Sequence, residues 1–227
     1  MSAVDFGIGI YTPPEAARMI GMRPATLRRW LLGYEHDGKF ERHLWHPQYD
    51  ADDDGLLLGF RDLIEARIVN ALRDRRIGLQ TIRTCIDRAR DIVGDERPFS
   101  TREFKTDGNT IFLEITRDLE EPIFIDLRRS QGVFKRVVEP TLKDLDFGDE
   151  GAERWWLLPG KRTLVADPTR SFGQPIVADH GISTSVLREA VEAEGSVAEV
   201  AKLFEIDPAA VRDAVAYEER LTNPKVA

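Results

Sequence analysis

Residues 12–33 carry the punctuation of two short helices joined by a tight turn, and no other stretch limits the fold so strongly. Thr12 is placed to cap a helix, Pro13 takes the first helical position, and Glu15 follows the cap by three residues, the capping-box spacing. Ala16, Ala17 and Ile20 recur at helical spacing up to Gly21, a residue that tolerates the positive φ of a helix end. A second helix is predicted from Arg23-Pro24, with Leu27, Trp30 and Leu31 at i, i+3 and i+4, and Gly33 closes it. Helix, glycine turn and arginine-rich helix in this order form the pattern of a helix-turn-helix.

Such a pair points to DNA through its second helix, whose N-terminal residues meet base edges in the major groove. Arg23, Thr26, Arg28 and Arg29 occupy that position, and Arg18, Lys39 and Arg42 are placed to neutralise flanking phosphates. Residues 11–34 hold four Arg and one Glu, in a chain whose 32 Lys and Arg face 40 Asp and Glu for a net charge of −8. That balance excludes a protein that coats nucleic acid nonspecifically and leaves a local basic patch on an acidic molecule.

Beyond the pair, residues 39–60 read as a small β wing or irregular loop, with Phe40, Leu44, Trp45 and Tyr49 among polar residues and an aspartate-rich turn at 50–55. Two helices follow, carried by Leu63, Ile64, Ala66, Ile68 and Leu72, then by Leu79, Ile82, Ile86, Ala89 and Ile92, with Gly78 and Gly94 as breaks. The expected first domain is 1–97. In 98–170 the period switches: strands are predicted at 110–115 after the hairpin-type turn Asp107-Gly108-Asn109, at 123–127, at Val133-Phe134 and Val137-Val138, and at Thr163-Leu164-Val165. In 171–227 a short entry strand at 171–177 precedes three helices, the first capped by Thr184, the second by Ser196 and the third opened by Asp207-Pro208. The predicted architecture is therefore α+β: an N-terminal winged helix-turn-helix, a small β-rich middle and a C-terminal three-helix, helix-turn-helix-like domain. The last helix mixes Arg212 and Arg220 with Asp213, Glu218 and Glu219, an acidic surface that phosphate repels, so protein contacts and homodimerisation are assigned there.

No catalytic or cofactor pattern emerges, and an enzyme is not expected. His43 and His46 lack a third ligand at motif spacing. The 50–54 carboxylates lack the glycine and distal glutamate of a calcium loop, and no Gly-x-Ser-x-Gly elbow occurs. The one cysteine, Cys85, sits on an apolar helix face and reads as core. No apolar run approaches a membrane span and the N-terminus does not read as a secretory signal, so a cytoplasmic protein is expected.

Residues 11–93 resemble the MerR-type winged DNA-binding domain, through Tyr11-Thr12-Pro13-Pro14-Glu15-Ala16-Ala17, Pro24-Ala25-Thr26-Leu27-Arg28-Arg29-Trp30, and the helix pair that opens at Leu58-Gly59-Phe60-Arg61-Asp62-Leu63. The long dimerising coiled coil of that family is missing, and the wing carries four Asp. Gly173-Gln174-Pro175-Ile176-Val177, Ile182-Ser183 and the stretch from Gly195-Ser196-Val197 to Tyr217 are similar to a small uncharacterised bacterial domain widespread in antitoxins. Together the two ends resemble a VapB-type antitoxin. That resemblance implies two partners: operator DNA, and a PIN-type ribonuclease toxin with an acidic active site. Trp155 and Trp156, with Arg154, Lys161 and Arg162 around them, are the candidate toxin anchors, since an exposed Trp and flanking cations could meet such a site. The alternative is a stand-alone MerR-like regulator whose β middle senses an effector.

Overall fold

The computed structural model describes residues 8–49, 55–117 and 137–222. The first helix, α1 (Pro13–Ile20), starts at the predicted box: the Thr12 side chain accepts from the Glu15 amide, and Glu15 Oε2 accepts from the Thr12 amide at 2.8 Å. Gly21 ends it at φ 83°, where an L side chain would be strained. Helix α2 (Pro24–Leu32) follows, and a two-stranded hairpin, β1 (Tyr34–His36) with β2 (Lys39–Glu41), turns at Asp37-Gly38. These strands therefore precede most of the segment predicted to hold them; 42–49 is irregular, and the aspartates at 50–54 lie outside the described residues.

Helices α3 (Phe60–Asp74) and α4 (Leu79–Val93) keep the predicted breaks, Gly78 at the start of α4 and Gly94 at its end. The strand predicted at 110–115 is overturned. Residues 102–117 form one helix, α5 (Arg102–Arg117), and Asp107-Gly108-Asn109 lie inside it. The reason is non-local. Phe104, Gly108 and Ile111, at i, i+4 and i+7, are buried on one face while α5 packs on α4, and that burial outweighs local β propensity and a turn-like tripeptide. Val137-Val138 likewise form a helical turn leading into α6 (Glu139–Lys143), and the strands expected at 123–127 and Val133-Phe134 lie outside the described residues.

A four-stranded antiparallel meander follows: β3 (Leu145–Phe147), β4 (Ala152–Trp156), β5 (Leu164–Ala166) and β6 (Ile176–Val177). The tryptophan pair, for which no strand was predicted, closes β4. Trp155 stands opposite Leu145 on one side and Ala166 on the other, so the three buried side chains form one cross-strand row. The chain ends in α7 (Thr184–Glu194), α8 (Val197–Leu203) and α9 (Pro208–Thr222), with Ser183 rather than Thr184 as the first cap residue.

Both expected domain boundaries are crossed by packing. Near residue 97, the buried Glu65 carboxyl accepts from the Ser100 amide at 2.7 Å, Arg61 Nε donates to Ser100 Oγ at 2.9 Å, and Arg67 donates to Thr141 O. Near residue 170, β5 pairs with β6, and the Tyr11 hydroxyl donates to Gly173 O at 2.7 Å. That carbonyl is presented by three consecutive left-handed residues, Ser171, Phe172 and Gly173. One hydrophobic cluster runs from Tyr11 to Tyr217. No helix among the described residues is long and apolar enough to cross a membrane.

Candidate functional site

Helix α2 buries Leu27, Trp30 and Leu31 and turns its other side outward. Arg23, at its N-cap, and Arg28 and Arg29 are exposed, while Thr26 is half-buried in the first turn. No ion pair with another described residue engages Arg23 or Arg28. The Arg29 guanidinium lies over the Tyr34 ring, 4.3 Å from its centroid, which ties the helix to the hairpin. Lys39 and Phe40, the latter 67% exposed, project from β2 beside it. Arg42 differs from the rest of the set, because it pairs with Asp87 of α4.

Arg18 points elsewhere. From the end of α1 it lines a cleft of about 660 Å³ walled by Trp155 and Trp156, with Arg67 of α3 and Arg220 of α9 on its other sides. One residue predicted for DNA and two predicted for the toxin thus meet in one place. Neither Arg67 nor Arg220 was singled out for this from sequence, since three separate elements bring the arginines together.

The cations predicted around the tryptophans are engaged within the chain. Arg154 pairs with Asp167 at 3.0 Å and Lys161 with Asp213 at 2.8 Å. Arg162 pairs with Asp146 at 3.3 Å and covers the Trp156 ring. Trp155 is buried; Trp156 is half-buried and donates its indole N–H to Asp146 at 2.9 Å.

Inside the frame, Glu65 is fully buried and its pKa is pushed up to about 8 by burial, against the lowering effects of the Ser100 amide and Arg61. One oxygen accepts from Ser100 N at 2.7 Å, and the other has no hydrogen-bond partner among the described residues. Burial pushes the Cys85 thiol up to about 12, so it stays an unreactive thiol. The His43 and His46 rings lie 4.0 Å apart, and the His43 pKa is lowered by burial, then by His46 and Arg42. Among the described residues no group of three His, Cys, Asp or Glu could hold a metal.

Known proteins resemble both the back of this chain and its whole length. Residues 164–217 match a family described as a protein of unknown function, DUF433. The match begins at β5, seven residues before the boundary drawn from sequence, and so includes both strands of the β5–β6 pair. Over 229 residues the chain is 28% identical to a protein of Mycobacterium tuberculosis (strain ATCC 25618 / H37Rv) named "Putative antitoxin VapB45", covering 92% of this chain and 94% of that one. The crystal structure of Rv2018 from Mycobacterium tuberculosis matches with a TM-score of 0.70 and 25% identity, over 92% of this chain and 98% of that chain. The mixed α and β fold is therefore shared along nearly the whole length.

Proposed function

We propose that this protein is an antitoxin of a type II toxin–antitoxin system, which binds a PIN-type ribonuclease toxin and represses its own operon through a MerR-like winged helix-turn-helix. The observation that carries this reading is the likeness, over 92% of the chain, to a protein named as an antitoxin. The DNA half is supported by Arg23, Arg28 and Arg29, exposed on α2 beside the Lys39 hairpin. Homodimerisation through the C-terminal domain is supported by Val186 and Leu203, apolar side chains left 44% and 67% exposed on α7 and α8. For the toxin, Trp156 offers a half-buried ring, and the surface pairs of Lys161 and Arg162 are weak enough to be exchanged for a partner's carboxylates, whereas Arg154 is held by the buried Asp167.

Co-expression with the product of the adjacent gene, followed by pull-down and a gel shift on the upstream region, tests the reading. A stable complex that retards that DNA is expected. A chain that retards the DNA but captures no partner would instead be a stand-alone regulator. The dimer is tested by Leu203→Glu and light scattering rather than by truncation at 171, because removing β6 would strip β5 of a neighbour.

A further inference from the structure

The cleft beside Trp155 sets Trp156, offered above to a toxin, against three arginines that the antitoxin reading leaves unused. Its walls are apolar: the two indoles on one side, Met19 of α1 and Leu221 of α9 on others. Arg67 is held in place at one side, its guanidinium 4.6 Å from the Trp155 ring centroid and hydrogen-bonded to Thr141 O, with the Asp144 carboxylate at 3.9 Å. Burial lowers its pKa only to about 10, so it remains a cation at neutral pH.

Arg18 and Arg220 are the decisive pair. Both are exposed, both line the cleft, and neither forms an ion pair with another described residue; Arg220 rests only on the Tyr217 ring at 5.1 Å. Three arginines thus face the space against one lining carboxylate, Asp144, in a chain of net charge −8. Elsewhere on β4 and the loop after it, the cations each have an internal carboxylate. A volume of about 660 Å³ lies within the range of small-molecule sites, which combine apolar walls with a few convergent charged groups.

We propose that this cleft is a binding site for a small amphipathic anion: an apolar, ring-sized body that stacks on the tryptophans and carries a carboxylate, sulfonate or phosphate toward Arg18, Arg67 and Arg220. The proposal does not require the antitoxin reading, and the two share one side chain, Trp156. The cleft is built from α1, α3, β4 and α9, so occupancy would bear on how the first helix of the helix-turn-helix sits against the rest of the molecule.

Anilinonaphthalene sulfonate is the probe, read by its own emission and by energy transfer from tryptophan. One dye per full-length chain is expected to bind saturably, with the neutral analogue phenylnaphthylamine weaker by about tenfold or more. Arg18→Gln with Arg220→Gln should weaken the dye by a similar factor with the melting temperature unchanged, and naphthoate should displace it. Dye binding that ignores both the sulfonate and the two arginines would overturn the site. An acidic amphipathic peptide that displaces the dye far more tightly than naphthoate would overturn its assignment to a small molecule and give the cleft to a protein segment. Lys202→Gln, which removes a cation outside the cleft, is the control and should leave dye binding unchanged.

Discussion

The α2–hairpin face and the segment from β4 through the loop after it carry similar numbers of cations and use them in opposite ways. On α2, Arg23 and Arg28 stand exposed with no ion-pair partner among the described residues, and the apolar side of the helix is fully committed to the core. Around β4, Arg154, Lys161 and Arg162 each meet a carboxylate, and Trp155 fills a cross-strand row. Charge density alone therefore does not mark a binding surface. An unpaired cation on a rigid element is available to an outside anion at little cost, whereas a paired one must first give up its partner.

The sharpest way to break this contrast is Trp155→Ala. Truncating a buried tryptophan should cost roughly 3–5 kcal/mol, read by denaturant titration. Loss of partner binding with stability intact would instead make β4 a contact strand. The common frame comes next. The folded pKa of Glu65, about 8, lies above its ordinary value, so the native state holds a proton that the unfolded chain releases. Its stabilising contribution is complete below the ordinary carboxylate range and is lost as pH rises through about 8. Melting temperature should fall over that window, and Glu65→Gln, an isostere of the neutral acid, should flatten the profile and stabilise the protein at high pH by roughly 1–3 kcal/mol. Two separate melting transitions would show that the two regions do not share one frame.

Arg28→Ala tests the open side of the contrast. It should weaken operator binding by about 1–3 kcal/mol in a gel shift while stability stays within roughly 0.5 kcal/mol. An unchanged gel shift from Arg28→Ala, repeated for Arg23→Ala, would remove α2 as a reading helix. The smallest effect belongs to the paired side: Lys161→Ala should cost only about 0.2–1 kcal/mol of stability, diminishing with added salt. A larger loss would mean that Lys161–Asp213 is a fixed strut between the β4–β5 loop and α9.

Local signals were legible in the sequence where a few neighbouring residues decide the outcome. The Thr12–Glu15 box, the left-handed Gly21, Pro24 at the start of α2 and the breaks at Gly78 and Gly94 depend on contacts within a helical turn, and each stands where it was read. The strand that holds Trp155 and Trp156 was not among the predicted ones, and its burial, with Ala152 and Trp155 both inward, follows the register shift at Asp146 and Phe147 rather than a simple alternation. Tertiary structure decided what distant residues share. It made α5 a helix by burying Phe104, Gly108 and Ile111, against a β-branched run and a turn-like tripeptide. It also set Arg154, Lys161 and Arg162 against carboxylates that lie 13, 52 and 16 residues away, and gathered Arg18, Arg67 and Arg220 from three helices around one cleft. Caps and periods are fixed by the backbone geometry of adjacent residues, whereas burial and charge pairing are fixed by which faces the whole chain can bring into contact.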